Sequence, residues 1–356
     1  LVYEYFLGQF ALAEGQNAGE FFTPTSVVKL IVEILEPFQG RILDPACGSG
    51  GMFVQSAHFV EHNQGKPSEE LSVYGQEKTG ETARLAKMNL AVHGLEGDIR
   101  ETNTYYENPF DSVGKFDYVM ANPPFNVDKV DKAKLEDDPR YPLGLPKVDN
   151  ANYLWIQLFY SALNETGKAG FVMANSASDA GSSELAIRQQ LIESGAVDTI
   201  IAVGNNMFYT VTLPVTLWFF NKGSENDEYW RDKTLFVDAR EIYNTIDRRH
   251  RDWTPDQIEL LANIYRTASG YEPVFSTPES EEMFNEHFPD STYTDVLGLC
   301  KIASNDDIEK QGWSLNPGRY VGVKIETLDE GVFKEKMAEL SEEFNELSDQ
   351  SEKLTT

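Results

Sequence analysis

The chain has 356 residues, of which 41% are hydrophobic and 25% charged, the proportions of a globular protein with one or two domains. No apolar run approaches the roughly 20 residues of a membrane span, and the two cysteines and five histidines lack the spacing of a zinc site. We expect a cytoplasmic protein with reduced thiols, no membrane association and no metal. The sequence begins without a methionine or a signal peptide, so we expect upstream residues to be missing.

The net charge of −28 at pH 7 bears on nucleic-acid binding. A surface this acidic repels phosphate over most of its area. Three interpretations are open: the chain does not contact nucleic acid, a local basic patch makes the contact, or a partner protein provides it. Adaptation to high salt is a further explanation. The strongest basic patch, DRRHRDW at residues 247–253, could contact phosphates or form a solvated loop.

The first two-thirds of the chain alternate between helix and strand patterns. Thr23 or Thr25 is expected to cap a first helix, with Pro24 near its first turn and apolar residues at helical spacing from Val27 to Leu35. Seven strands are then predicted, in the order RILD, LSVYGQEK, GDIRETNTY with its following loop, FDYVMANPPF, GKAGFVMANS, AVDTIIAV and LPVTLWFFNKG. This alternation predicts an α/β fold: a Rossmann-like, doubly wound, seven-stranded, mostly parallel sheet covered on both faces.

Beyond the seventh strand the pattern weakens. TLFVDARE could add one strand, a helix is expected to be capped near Thr254, and GWSLNPGRYVG has the composition of a loop motif. Apolar residues at 333–354 follow a heptad-like seam, which predicts an amphipathic helix. We therefore divide the chain into a core at 1–222, a part with irregular insertions at 223–325, and a C-terminal helix at 326–356. This helix either docks on a partner or folds back on its own domain.

A glycine-rich stretch, DPACGSGG, joins the first strand to a helix. Its glycines allow the backbone to approach a ligand and to direct N–H groups at it. The spacing matches neither the dinucleotide motif GxGxxG nor a Walker loop. Asp44 would repel a pyrophosphate, but it suits a ligand with an ammonium group, such as the methionine end of S-adenosylmethionine. A turn needed only for packing is the alternative.

Glu77 ends the second predicted strand. An acid at this position can accept hydrogen bonds from both hydroxyls of a ribose. A solvated acid at a strand end is the alternative. The glycine-rich loop one strand earlier favours the ribose.

The fourth strand ends in the sequence NPPF, at the sheet edge where such folds bind ligands. The Asn122 amide oxygen and the Pro123 carbonyl can accept from an amine, and Pro124 completes the stiff loop. Phe125 offers a flat face to a planar base. Two acceptors on the hydrogens of a ring-attached amine favour a pyramidal nitrogen, which frees its lone pair for attack without a metal or strong base. A tight turn with a core phenylalanine is the alternative.

The motifs AGEFFTP, DPACGSGGMF, GQEKTGETARLAKMNLAVHG and ANPPF, in this order, resemble the modification subunit of type I restriction-modification systems. MFYTVTLPVTLWFFNKG and GWSLNPGRYVG resemble the later part of that family. The resemblance implies an S-adenosylmethionine-dependent methyltransferase fold with a C-terminal helical extension. It also implies transfer of a methyl group to the N6 amine of adenine in DNA. The family's helical N-terminal domain is expected to be absent from this chain.

The resemblance also implies roles for individual residues. Those expected to bind the cofactor are Glu20, Phe21, Phe22, Thr23, Pro24, Asp44, Ala46, Gly48, Ser49, Gly50, Glu77, Asn103 and Asn122. Asn103 stands where the family often has aspartate. Those expected to hold the flipped adenine and assist transfer are Asn122, Pro123, Pro124 and Phe125, and Phe208 would help to enclose the base.

The resemblance implies DNA and a separate specificity subunit as partners, with two modification subunits joining one specificity subunit. A restriction nuclease subunit is a further possible partner. A partner that reads the DNA would account for the acidity of this chain, and the C-terminal helix is the candidate docking segment. Two other functions stay open: methylation of another planar amide or base, such as a protein glutamine or an RNA guanine, and a non-catalytic role in assembly.

Overall fold

A computed structural model describes residues 23–208, 214–247 and 250–323 of the chain. The chain divides into two compact units, Leu1–Gly322 and Val323–Thr356. All of the helices and strands given below belong to the first unit. None of the helices in these residues has the length and apolarity needed to cross a membrane.

Several predictions concern residues outside the described ranges. These are the C-terminal helix at 326–356 and the cofactor contacts of Glu20, Phe21 and Phe22. The division at residue 222 also stays a prediction, although two further strands continue the sheet beyond it.

Strands and helices alternate through most of the described chain. The helices are α1 (Thr25–Leu35), α2 (Gly51–His62), α3 (Pro67–Glu70), α4 (Gly80–Val92), α5 (Asn152–Ala162), α6 (Ser182–Glu193), α7 (Pro255–Ala268), α8 (Pro278–Asn285) and α9 (Asn305–Lys310). The strands are β1 (Gly40–Asp44), β2 (Leu71–Glu77), β3 (Gly97–Glu101), β4 (Phe116–Ala121), β5 (Leu163–Ala174), β6 (Val197–Val203), β7 (Val215–Asn221), β8 (Lys233–Ala239), β9 (Asn244–Thr245), β10 (Arg251–Asp252) and β11 (Cys300–Ser304). Short 3₁₀ turns lie at Lys132–Leu135, Asn175–Asp179, Lys222–Asn226 and Pro317–Arg319.

The described residues form one large sheet of nine strands in the order β11-β8-β6-β7-β5-β4-β1-β2-β3. Strand β7 is antiparallel to both neighbours and β11 is antiparallel to β8, whereas the other pairs are parallel. The predicted mostly parallel α/β sheet is confirmed, but the predicted number of seven strands is wrong. Strand β8 contains most of TLFVDARE. Strand β11 is a short edge strand whose sequence, CKIAS, gives no clear apolar pattern.

Alternate residues of the central strands pack on opposite faces of the sheet. In β7, Leu217 and Phe219 belong to one buried cluster, whereas Trp218 and Phe220 belong to another. Helices α1, α2, α4 and α7 contribute to the first cluster, and α5 and α6 contribute to the second. Strands that are buried on both faces have continuous apolar sequences, which explains why the sequence predicted these central strands.

The first helix differs from its prediction at its start. Thr25 is the first helical residue, and Pro24 occupies the cap position without a side-chain hydrogen bond to the helix. The Thr23 hydroxyl instead accepts a hydrogen bond from the Asn122 amide at 2.8 Å. The cap near Thr254 is confirmed, because Thr254 and Gln257 form a reciprocal capping box at the start of α7.

The basic patch DRRHRDW includes β10, which pairs antiparallel with the preceding strand β9. His250 pairs with Asp247 at 2.6 Å, and the Arg251 guanidinium lies 3.6 Å from the centre of the Tyr243 ring. Arg248 and Arg249 lie outside the described residues. Contact of this patch with phosphates stays a prediction.

The GWSLNPGRYVG stretch is held by a buried arginine on α6. Arg188, 2% exposed, donates from Nε to the Trp313 carbonyl at 2.7 Å and from Nη1 to the Ala180 carbonyl at 2.6 Å. The Leu315 amide donates to the Ser178 carbonyl at 2.9 Å. The motif therefore braces the turn that follows β5.

We expect Arg188→Ala to lower the free energy of unfolding by about 3 kcal/mol or more, because it leaves buried carbonyls without donors. Arg188→Lys should recover part of that loss. Arg319→Ala is the control, since Arg319 is 48% exposed and pairs with Asp179 at 3.3 Å, an interaction worth up to about 1 kcal/mol. Urea unfolding followed by circular dichroism measures both, and equal effects of the two alanine variants would refute the bracing role.

Candidate active site

A cavity of about 400 Å³ opens at the carboxyl edge of the sheet, beside β1. Strand β1 lies between β2 and β4, so the chain order reverses here and leaves a crevice of the kind that binds ligands in open α/β sheets. The volume is within the range of small-molecule sites. The residues that line it are Pro45, Ala46, Gly48, Glu77, Lys78, Thr79, Asn103, Thr104, Tyr105, Asn122, Pro123, Pro124, Val127 and Trp155.

The structure brings many of the predicted site residues to this cavity. Those among its lining residues are Ala46, Gly48, Glu77, Asn103, Asn122, Pro123 and Pro124. Others lie beside or behind the lining: Asp44, Ser49 and Gly50 belong to the same loop as Gly48, and Thr23 bonds Asn122. Phe125 packs against both core clusters and Phe208 is 4% exposed in the first, and neither is among the lining residues.

Hydrogen bonds turn the backbone of the glycine-rich loop where it follows β1. Asp44 Oδ1 accepts from the Ala46 amide at 3.0 Å, and the Cys47 amide donates to the Gln76 carbonyl at 2.9 Å. Gly48 has a φ of +51°, and a Cβ there would meet no atom within 4 Å. The backbone angle therefore favours glycine at this position, and the space beside it is open to a ligand.

Glu77 joins the ends of β1 and β2. Its Oε2 accepts from the Gly48 amide at 3.1 Å, and its Oε1 accepts from the Thr79 amide at 2.9 Å. The side chain is 8% exposed and lines the cavity. The carboxylate thus fixes the glycine-rich loop and presents negative charge to the ligand space.

Asp44 is 2% exposed, and its burial raises the pKa of the carboxyl to about 8. The hydrogen bond from Ala46 acts in the opposite direction, whereas the charge of Glu77 raises the pKa further. A cation bound beside these two carboxyl groups would favour their ionised forms. The electrostatics of the loop therefore suit a positively charged ligand and disfavour a phosphate.

A buried arginine that sequence reasoning missed holds the loop after β3. Arg140, 2% exposed, donates to the carbonyls of Thr104 at 2.8 Å, Glu107 at 3.0 Å and Tyr105 at 3.1 Å, and it forms an ion pair with Asp138 at 2.6 Å. Although burial opposes it, hydrogen bonding from Arg140 keeps the pKa of Asp138 below its usual value. This network positions the wall of the cavity that contains Asn103.

Two aromatic residues, also missed from the sequence, form another part of the wall. The Trp155 indole N–H donates to the Tyr105 hydroxyl at 2.7 Å, and the ring centres lie 5.0 Å apart. Trp155 follows the apolar pattern of α5, so nothing local distinguishes it from a core residue. The pair offers apolar surface to a planar ring.

The NPPF loop carries an unsatisfied acceptor into this site. The Asn122 amide nitrogen donates to Thr23, whereas the Asn122 Oδ1 atom is buried and has no hydrogen-bond partner in the described structure. Leaving a buried acceptor unsatisfied costs about 1–3 kcal/mol. Since Asn122 lines the cavity, a ligand with N–H groups is the simplest partner for this oxygen.

A family model for N-6 DNA methylases matches residues 1–329. The chain belongs to the N-6 DNA methylase family. It is 44% identical over 360 residues to the type I restriction enzyme MjaIX methylase subunit of Methanocaldococcus jannaschii, covering 99% of this chain and 60% of that protein. It is 38% identical to the HindI methylase subunit of Haemophilus influenzae, covering 96% and 72%. The resemblance predicted from the motifs is confirmed.

The fold of this chain is similar to that of a solved relative. The methyltransferase subunit of a type I restriction-modification system from Streptococcus thermophilus superposes with a TM-score of 0.75 at 28% identity. The match covers 90% of this chain and 63% of that one. The predicted fold class is thereby confirmed, and the chain spans about 60% of the length of the Methanocaldococcus jannaschii relative.

We expect Arg140→Lys to destabilise the protein by about 2 kcal/mol, because one ammonium cannot replace a guanidinium that bonds a carboxylate and three carbonyls. Amide hydrogen exchange of residues 104–107 should accelerate more than that of the strands. Arg100→Lys is the matched control, because Arg100 is 55% exposed and pairs only locally with Asp98 on β3. Unchanged exchange at 104–107 in a folded Arg140→Lys variant would contradict the positioning role.

Proposed function

We propose that this chain transfers a methyl group from S-adenosylmethionine to the N6 amine of adenine in DNA, as the modification subunit of a type I complex. The observation that carries the proposal is the buried Asn122 Oδ1, which has no donor among the described residues and lies on a double-proline loop in the same cavity as an acidic glycine-rich loop. Family membership supports the same reaction. S-adenosylmethionine supplies an activated methyl group on a positively charged sulfur.

The residues present fit this donor. Asp44 and Glu77 match its positive charges, and Glu77 is placed at the end of β2, where an acid can accept from ribose hydroxyls. Gly48 leaves space for close approach of the backbone, and Asn103 lies in the wall beyond Glu77. We assign these residues to the donor, with Asp44 at the methionine end.

The NPPF loop acts on the acceptor amine. Asn122 Oδ1 and the Pro123 carbonyl would accept its two hydrogens, which localises the nitrogen lone pair for attack on the methyl carbon. The carbon–sulfur bond would break as the carbon–nitrogen bond forms, the neutral thioether would leave, and the methylated nitrogen would release one hydrogen as a proton to solvent. The loop is recessed at the sheet edge, so the base has to leave the duplex at a cost of a few kcal/mol. Phe125 and Phe208 are proposed to stack on and enclose the base after rearrangement of the loop, since the described structure places both against the core.

The acidity of the chain supports the assignment of DNA reading to a separate subunit. A net charge of −28 opposes unassisted binding of a polyanion. We therefore assign DNA reading to a specificity subunit, with two copies of this chain for each one, and any cleavage to a separate nuclease subunit. Two relatives are themselves named methylase subunits of type I restriction enzymes.

The function is tested by mass spectrometry of nucleosides from DNA incubated with the donor, this chain and its specificity subunit. We expect N6-methyladenine, and Asn122→Ala should reduce the single-turnover rate about 100-fold or more, because an acceptor used in the transition state is lost. Donor affinity measured by calorimetry should change little. Asn63→Ala, at the end of α2 and outside the cavity lining, is the control. Methylated protein or RNA with unmodified DNA would overturn the proposal.

Donor binding should release a proton below pH 8. The Asp44 carboxyl, with a pKa of about 8 in the free chain, is largely protonated at pH 6–7.5, and a bound cation lowers that pKa. Affinity should therefore rise with pH across this window, by up to tenfold per unit. Calorimetry in two buffers of different ionisation enthalpy measures the proton release.

Asp44→Asn supplies the control for this pH dependence. It removes the titrating group, so donor affinity should weaken at pH 7.5 and lose most of its dependence on pH. Because a raised carboxyl pKa destabilises the fold increasingly as pH rises from about 4 toward 8, the same variant should raise the unfolding temperature of the ligand-free chain at pH 7.5. Wild-type binding without proton release would refute the role of Asp44.

A further inference from the structure

Three asparagines, Asn126, Asn150 and Asn152, form a hydrogen-bonded cluster behind the NPPF loop. Asn126 directly follows Phe125 and has a φ of +54°, a left-handed conformation that asparagine tolerates better than most residues. Its Oδ1 accepts from the amide groups of Asn152 at 2.9 Å and Asn150 at 3.2 Å. The Asn126 side chain therefore acts as an acceptor.

The cluster is reciprocal. Asn152, 2% exposed, accepts at Oδ1 from the Asn126 backbone N–H at 2.8 Å, and Asn150 Oδ1 accepts from the Asn152 backbone N–H at 2.8 Å. The Ala151 amide donates to the Val127 carbonyl at 3.0 Å. The bonds made by Asn152 determine which of its amide atoms faces which partner, so the donor and acceptor roles are unambiguous.

The position of the cluster connects it to the proposed chemistry. The start of the NPPF loop is fixed by pairing of Ala121 with Phe171 and by the bond from Asn122 to Thr23. Its end is fixed because Asn126 is hydrogen-bonded to Asn150 and Asn152, which lie 24 and 26 residues further along the chain. Asn152 is also the first residue of α5, which carries Trp155 into the cavity wall. The cluster thus sets the position of the loop acceptors relative to that wall.

We propose that Asn126, Asn150 and Asn152 are positioning residues that hold the NPPF loop in the geometry needed for methyl transfer. The inference rests on the proposed function, since it assigns to the cluster an effect on the rate of that reaction. Misplacement of reacting groups by about 1 Å can cost on the order of 100-fold in rate. A loop anchored at only one end would undergo such displacements, whereas donor binding on the β1 and β2 side would persist.

Variants of Asn126 separate positioning from folding, because this side chain is exposed. Asn126→Gly keeps the left-handed backbone accessible but removes the acceptor, and we expect a single-turnover rate about 10–100-fold lower. Asn126→Asp keeps an acceptor toward both amide groups and should restore most of the rate. Asn164→Ala is the matched control, because Asn164 bonds Asp117 near the opposite end of β4 at 2.8 Å.

The measurement is the single-turnover rate of adenine methylation by the complex with its specificity subunit, together with calorimetry of donor binding. Detectable methylation by the wild-type complex first establishes the proposed function. The proposal is supported if Asn126→Gly loses single-turnover rate while its donor affinity stays within about threefold of the wild-type value, and if Asn126→Asp recovers most of that rate. A wild-type rate in folded Asn126→Gly overturns it, as does an Asn126→Asp variant no faster than Asn126→Gly.

Discussion

A buried acceptor with no donor in the part of the chain that the structure describes is the constraint around which this site is built. Asn122 Oδ1 is enclosed at the end of β4, on a loop whose two prolines restrict the backbone and supply no N–H groups. No group in residues 23–208, 214–247 or 250–323 satisfies this oxygen, and a flexible loop would turn it toward water or toward a neighbouring amide. The surroundings of the loop therefore have to prevent relaxation, which explains why its start and its end are both anchored by side-chain hydrogen bonds.

The acidic side of the cavity also contains buried polar groups. Asp44 and Glu77 are both buried at the ends of neighbouring strands, and burial disfavours the ionised form of Asp44. Five residues of parallel register already pair β1 with β2, and Glu77 adds the hydrogen bonds that fix the glycine-rich loop. A bound cation would favour the ionised form of Asp44 and so remove the penalty that burial imposes on it.

The sequence predicted those parts of the site that depend on local chemistry. Positions at strand ends, glycines with positive φ and the double proline each leave a local signature, and residues such as Gly48, Glu77 and Asn122 do line the cavity. Arg140 and Trp155 left none, because their roles arise from contacts with a loop 33–50 residues away. Thr23 was predicted to act locally as a possible cap, but a tertiary contact uses its hydroxyl. The edge strand β11 was missed because a short, partly exposed strand needs no apolar run.

Side-chain hydrogen bonds between the loops fix the shape of the cavity. Glu77 ties the β1 loop to β2, and Thr104 donates to the Pro45 carbonyl at 2.6 Å, which ties the β3 loop to β1. Asn152 ties the β4 loop to α5. Each bond joins a different pair of segments, and together they fix the cavity before any ligand arrives. An activated methyl donor leaves mainly positioning to the protein, and preorganised loops provide positioning without reorganisation during the reaction.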